Sequence, residues 1–221
     1  MRLSINLFMT LNGVSQAPGG PEEDTRGGFT DGGWLMSVFD EGCGQAVSRW
    51  FDQCGALLLG RRTYDIFASH WPQVTDPDDL VAHLINTSQK YVVTSSALGD
   101  VWADSSTRLG DDFLDEIRRL KSVEREGELQ VHGSVQLART LHQAGVVDVY
   151  RFLIAPVTVG PGFGMFTEAG PSYKMRVRHG VVTQNGVYDV EMIPEPFGGR
   201  KTVGLDEGKE VVLEDKDLEA S

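Results

Sequence analysis

The sequence predicts an α/β fold: a central mixed, mostly parallel sheet with helices on both faces and an antiparallel C-terminal hairpin. Three observations lead there. Up to about residue 145, short apolar runs of strand length alternate with segments whose apolar residues recur at helical spacing, the order of βαβ units. From Asp148 onward, strand-like runs follow one another with no helix between them. Within Gln184-Asn185-Gly186, asparagine-glycine stands between two such runs, the signal of a tight hairpin turn.

The elements follow in order. In MRLSINLFMTLNGV, Leu3, Ile5, Leu7, Met9 and Leu11 alternate with Ser4, Asn6, Phe8 and Thr10. This is the period of a strand, not the continuous apolar core of a secretory signal. Ser15 to Gly33, crowded with glycine, proline and acids, reads as a long loop of the kind that forms lids or binding loops. A helix from about Asp40 to Cys54, with Ala46, Val47, Trp50 and Phe51 at helical spacing, feeds the apolar strand Ala56 to Leu59. Another helix starts just behind it, at Gly60-Arg61-Arg62-Thr63. Leu80, Val81, Leu84 and Ile85 mark a short helical face, and Lys90 to Ser96 a second buried strand ending in small hydroxyls. Phe113, Leu114, Ile117 and Leu120 form the apolar stripe of an amphipathic helix. Leu129 to Ser134 is a third strand, continued as helix through Leu137, Ala138 and Leu141. The strands VYRFLIAPVTVG, YKMRVRHGVV and GVYDVEMI complete a single domain over residues 1–193. Residues 194–221 read as an acidic, solvated tail in which Glu210 to Leu213 can add a short strand.

The 221 residues suffice for one domain with a substantial core. Twenty Lys and Arg against 32 Asp and Glu give a net charge of -12, which disfavours nucleic-acid backbones and anionic membrane surfaces as partners. No stretch reaches membrane-spanning length, so the expectation is a soluble, cytoplasmic protein. Cys43 and Cys54, about 16 Å apart if carried on one helix, are beyond disulfide reach and expected as free thiols. The five histidines lack ligand spacing, so no metal is expected. Gly160 to Gly164 is one residue short of a dinucleotide GxGxxG, the Gly204 to Glu210 segment misses the P-loop spacing, and no GxSxG elbow is present.

Candidate chemistry sits instead at the carboxyl ends of three strands, where open α/β sheets bind ligands. Gly60-Arg61-Arg62-Thr63, Thr94-Ser95-Ser96 and Gly133-Ser134-Val135-Gln136 each combine a close-approach residue or a hydroxyl with backbone amides at or near a helix start. Such termini carry about half a positive charge and unpaired N–H groups suited to phosphate. Arginine adds forked donors for phosphate oxygens. Three such ends along one sheet point to a ligand with spaced anionic groups, such as a dinucleotide with a pyrophosphate and a ribose phosphate.

With these motifs in order, the chain resembles the dihydrofolate reductase superfamily, in the branch of the reductase domain of the bifunctional riboflavin-pathway deaminase-reductase. FMTLNGVSQAPGGPEED, LLLGRRTYDIF, KYVVTSS, LQVHGSVQLARTLHQAGVVDVYRFLIAPVTVGPG and the final NGV hairpin carry the resemblance, over roughly residues 1–193. It implies a dihydrofolate reductase-like three-layer α/β/α fold with NADPH bound across the sheet. Gly60 to Thr63 would hold the cofactor phosphates, Thr94 to Ser96 the adenosine ribose and its 2'-phosphate, and Gly133 to Gln136 the pyrophosphate and nicotinamide side. It further implies a homodimer.

The sequence also departs from that family. Thr10-Leu11-Asn12-Gly13 stands where riboflavin-pathway reductases usually carry serine-leucine-aspartate-glycine, which removes a carboxylate from the substrate side. No deaminase zinc motif is present. The expected activity is hydride transfer from NADPH to a C=N or C=O group of a pteridine-like or ribosylaminopyrimidine-like substrate. Asp40 is the first candidate proton donor and Glu41 the second; Asn12, Trp34 and Phe163 are placed on the substrate side. The alternative is a non-catalytic NADPH-binding sensor or dimeric scaffold of the same fold, favoured by the asparagine at position 12.

Overall fold

The computed structural model of the protein describes residues 1–166, 170–198 and 201–214. The main sheet is built from β1 (Arg2–Thr10), β2 (Cys54–Gly60), β3 (Lys90–Val93), β4 (Ser106–Leu109), β5 (Glu128–His132), β6 (Val149–Ala155), β7 (Tyr173–Val182) and β8 (Tyr188–Pro196). Among the described residues, five α-helices connect them: α1 (Glu41–Phe51), α2 (Arg61–His70), α3 (Leu80–Thr87), α4 (Phe113–Ser122) and α5 (Val135–Gln143). The strand order is β4-β3-β2-β5-β1-β6-β8-β7. Neighbours from β4 to β6 run parallel, while β8 is antiparallel to both β6 and β7. The mixed, mostly parallel sheet with an antiparallel ending is therefore observed.

Both faces are covered, which is why β2 reads as an unbroken apolar run. On one face Leu3, Ile5, Leu7 and Met9 of β1 join Ala56, Leu58 and Val131 against Ile117 of α4 and Leu137, Ala138 and Leu141 of α5. On the other, Leu57, Leu59 and Val92 meet Phe51 of α1, Tyr64 of α2 and Ile85 of α3. Leu11 lies just past β1 and is exposed.

The polar half of the β1 alternation is also buried, because β1 is a central strand. Ser4 and Asn6 lie under α1 in a polar layer organised by Arg151 of β6, itself 1% exposed. The Arg151 guanidinium donates to Glu128 Oε2 at 2.6 Å, Glu191 Oε2 at 2.7 Å, Gln53 Oε1 at 3.1 Å and Asn6 Oδ1 at 3.3 Å. Each buried charge in this layer has a partner, as burial requires.

Some boundaries differ from expectation. α1 ends at Phe51, so Cys54 opens β2 and the two cysteines lie on different elements; both are free. The strand expected through Ser96 stops at Val93. β4 was not anticipated: as an edge strand it buries only Leu109, too little to leave an apolar pattern. Beyond β8, the segment expected as an acidic tail carries two paired antiparallel strands, β9 (Lys201–Asp206) and β10 (Lys209–Glu214), the latter spanning the expected short strand. The last seven residues of the expected tail lie outside the described residues.

Candidate active site

In the strand order, the connection leaving β2 goes to β3 on one side, while that leaving β5 passes over β1 to β6 on the other. The helices follow: α2 and α3 pack on one face and α5 on the opposite one. A divergence of this kind opens a crevice at the carboxyl ends of the two strands. The protein has a cleft of about 1260 Å³ here, lined in part by Gly60 to Thr63, Gly133 to Gln136, His132 and Phe163.

The two helix starts at this crevice are laced together. The Gly60 N–H donates to Ser134 Oγ at 2.9 Å, and the Ser134 N–H donates to Thr63 Oγ1 at 3.0 Å. Ser134 thus spends its hydroxyl across the crevice, and no side chain caps the first turn of either α2 or α5. Two uncapped N-termini converge on one space, which favours an anionic group there. Gly133 and Ser134 both adopt left-handed conformations, with φ of 58° and 49°. For Ser134 this is a strained arrangement, sustained by the lacing.

Gly60 itself has an ordinary extended backbone, with φ of -76° and ψ of 156°. A Cβ placed on it would meet Ser134 at 3.7 Å and Leu137 at 4.0 Å, normal contact distances. Neither conformation nor protein crowding demands glycine here, so the space a methyl would fill is room for a ligand.

The two arginines divide. Arg61 is committed to the protein: its Nε donates to both Asp65 oxygens at 2.8 Å, and its Nη1 donates to the Ala97 carbonyl at 2.7 Å. Arg62 is half exposed, and among the described residues its one ion pair is to Asp24 at 3.9 Å. Thr94, Ser95 and Ser96 do not line the cleft; Arg61 ties the following residue, Ala97, to α2 and so sets them beside it.

The loop expected as a lid forms an ordered wall. Buried Gln16 donates to the Asp24 and Arg26 carbonyls and accepts from Phe163 N–H, while its own carbonyl accepts from Trp34 Nε1–H. Ser15, Ala17, Pro18, Glu23, Asp24 and Arg26 face the cleft from this wall. The Arg26 guanidinium lies 5.0 Å from the Phe163 ring centroid, a cation–π contact that ties Phe163 to this wall. Ser15 Oγ is buried at the cleft without a hydrogen-bond partner.

Two groups of expected site residues are placed elsewhere. Asp40 is the N-cap of α1, accepting from Cys43 N–H at 3.0 Å, and also accepts from Asn185 N–H at 2.7 Å in the hairpin turn. Burial opposes its ionisation, but hydrogen bonds from Asn185, Thr183 and Cys43 outweigh this and hold its pKa down to about 2. A capping carboxylate held ionised outside the cleft is not a proton donor for it. Glu41 is exposed beside it on the outer surface and pairs with Gln45. On the substrate side, Asn12 accepts from Thr10 Oγ1 and donates to the Val159 carbonyl, bracing a neighbouring loop. Trp34 is buried with Val14, Ala17, Phe29 and Leu35, so it shapes the wall from behind. Of the substrate-side residues, Phe163 alone faces the cleft.

The structure adds three residues. The Glu23 carboxyl is raised by burial, only partly offset by N–H groups of Gly19 and Gly20 and reinforced by the Asp24 charge. Its signal was the PEED run inside the long loop, where nothing marked that Glu23 and Asp24 line the cleft while Glu22 is exposed. Ser15 opens the loop read from Ser15 to Gly33, and His132 lies within the strand read from Leu129 to Ser134.

The family model for the RibD C-terminal domain matches residues 2–188. The chain belongs to the RibD C-terminal domain family. Among relatives, the Bacillus subtilis uncharacterized protein YyaP is 23% identical over 195 residues, covering 86% of this chain and 93% of YyaP. A putative riboflavin biosynthesis protein from Shewanella sp. PV-4 superposes with a TM-score of 0.64 at 18% identity, covering 88% of this chain and 99% of that one. A pyrimidine reductase-like protein from Corynebacterium diphtheriae gives 0.54 at 10% identity over 88% and 92% of the two chains. Acinetobacter baumannii RibD gives 0.56 at 13% identity, with 88% of this chain covering 58% of that protein. The RibD-type fold thus agrees with the dihydrofolate reductase-like architecture read from the sequence. Among the described residues, no helix is long and apolar enough to cross a membrane, and no His, Cys, Asp and Glu cluster has the makings of a metal site.

Proposed function

We propose that this RibD C-terminal domain protein is a cytoplasmic, homodimeric, NADPH-dependent reductase of a ribosylaminopyrimidine-like or pteridine-like substrate. The observation that carries the reading is the meeting of two uncapped helix N-termini at the sheet's switch point, with a glycine that leaves room between them. Gly60 to Thr63 and Gly133 to Gln136 would hold the pyrophosphate through backbone N–H groups. Arg62 would add charge, and Thr94 to Ser96, set beside α2 by Arg61, would receive the ribose end. The cofactor supplies a hydride for a C=N or C=O carbon.

The rest of the work belongs to the chain. The Ser15 to Gly33 wall and Phe163 exclude water and form one lip of the substrate end. Glu23, whose raised pKa keeps a larger fraction protonated near neutrality than an ordinary glutamate, replaces Asp40 as the proton source in this reading. The sensor reading keeps one specific support, the Asn12 carboxamide spent on bracing Val159.

Fluorescence titration with NADPH and NADH, followed by NADPH consumption against dihydropterins and ribosylaminouracils, separates the two. Binding with turnover supports the reductase, binding without turnover the sensor, and no NADPH binding overturns both.

A further inference from the structure

His132 ends β5 at the inner part of the cleft, where Asn6, Phe8, Val47 and Phe51 also line the wall. Its protonation is dictated by a short relay. The Gln130 carboxamide reaches the Trp50 main-chain carbonyl at 2.5 Å. A carbonyl only accepts, so the Gln130 NH₂ must face Trp50, leaving Oε1 turned to His132. Gln130 Oε1 lies 2.8 Å from His132 Nε2, so that nitrogen carries the hydrogen. Nδ1 is then a bare lone pair, with no partner among the described residues. Burial, aided by the positive charge of Arg151, pushes the imidazole pKa down to about 3, so the ring stays neutral. The ring is also fixed in orientation, stacked on Phe51 at 4.2 Å between centroids and 13° between planes.

We infer that His132 is a fixed neutral hydrogen-bond acceptor, through Nδ1, for an N–H group of the bound ligand. This rests on the reductase reading above and sharpens it, because a preset acceptor selects against ligands that lack the donor. A site built to accept one hydrogen bond is left unpaired by an analogue without it. The donor chemistry has two sources, a ring N–H of a pyrimidine-type substrate or the carboxamide NH₂ of the nicotinamide.

The first test uses the free protein. Long-range ¹H–¹⁵N spectra of the full chain with ¹⁵N-histidine should show His132 as the Nε2–H tautomer, unchanged from pH 8 to pH 5. An Nδ1–H tautomer, or a cation forming above pH 5, overturns the inference whether or not NADPH binds. The second test measures affinity for two matched pairs: 5,6-diaminouracil against its N3-methyl derivative, and NADPH against its reduced 3-acetylpyridine analogue.

One pair should differ by about tenfold in Kd, the worth of one buried neutral hydrogen bond, and which pair it is identifies the source. His132→Phe keeps the stack and removes the acceptor, so the difference should vanish while thermal unfolding confirms folding. If the bound pairs show no discrimination, or discrimination survives in His132→Phe, the acceptor role is refuted. If neither pair binds, both the reductase reading and the ligand role of His132 fall, and only the tautomer assignment stands on the first test.

Discussion

Replacing Gly60 with alanine should separate ligand binding from stability in a single substitution. At φ -76° and ψ 156° the backbone suits alanine, and the added methyl would sit 3.7 Å from Ser134. Removing a glycine's unfolded-state freedom without native strain typically stabilises by about 0.4–1 kcal/mol. For a domain of this size that is a rise in Tm of roughly 1–4 °C. The same methyl occupies the space between the two uncapped helix starts and holds a phosphate off their N–H groups. Charge-assisted hydrogen bonds are worth about 1.5–3 kcal/mol, so NADPH affinity should fall by roughly 10- to 100-fold. Scanning calorimetry and NADPH fluorescence titration on the same preparation read both effects. A loss of more than about 1 kcal/mol of stability would show that the glycine serves packing. An NADPH affinity within twofold of the parent would refute the placement of the phosphate.

Other expectations follow from the same geometry. Arg62→Ala should weaken NADPH about fivefold, the worth of an exposed charge at roughly 1 kcal/mol, with an effect that shrinks as salt rises; an unchanged affinity in a titration series would remove Arg62 from the cofactor phosphates. Glu23→Gln should flatten the pH dependence of kcat while leaving NADPH affinity unchanged. Because the Glu23 pKa is raised in the folded state, its contribution to stability is full below the ordinary glutamate value and lost as pH rises through the folded value. The glutamine variant should therefore unfold at higher urea than the parent near neutral pH, and an unchanged midpoint would count against the burial. Asp40 is the opposite case: its depressed pKa contributes stability above the ordinary value of 3.8, lost as pH falls towards about 2. Asp40→Ala should cost roughly 1 kcal/mol at pH 7 as a lost cap and show less acid sensitivity between pH 4 and 2, with catalysis intact. Arg151→Met leaves Glu128 with only the partly exposed Arg2; breaking such a buried pair costs about 3–5 kcal/mol, and urea unfolding showing less than about 1 kcal/mol would contradict the described network.

What was legible in the sequence was whatever left a periodic or compositional trace. The Leu3 to Met9 alternation, the β2 run and the Asn185-Gly186 turn each reflect local geometry, and each is where expected. β4 escaped because an edge strand with one buried side chain has no pattern to read. The cleft was half legible: Gly60 to Thr63 and Gly133 to Gln136 announce themselves as strand ends followed by helices. That they face each other depends on β2 and β5 being neighbours, a non-local fact. Asp40 misled because a helix N-cap and a catalytic acid share the same residue type at the same place. Its hydrogen bond to Asn185, 145 positions away, is what separates the two roles. Glu23 was hidden among adjacent acids, since a loop's fold decides which of them line the cleft.

The reciprocal hydrogen bonds between Gly60, Thr63 and Ser134 act as a clasp. They join helices that hang from opposite faces of the sheet, so the cleft cannot widen at that end without breaking both. The lip where the Gln16-pinned loop and Phe163 meet is tied as well, because the Phe163 N–H donates to Gln16 Oε1 and the Ser15 N–H donates to the Phe163 carbonyl. The helix starts thus form a fixed gauge, and the loop-side lip is shaped by the loop's own side chains. Sequence change along the loop can retune what is gripped there while the gauge, and whatever it measures, stays the same.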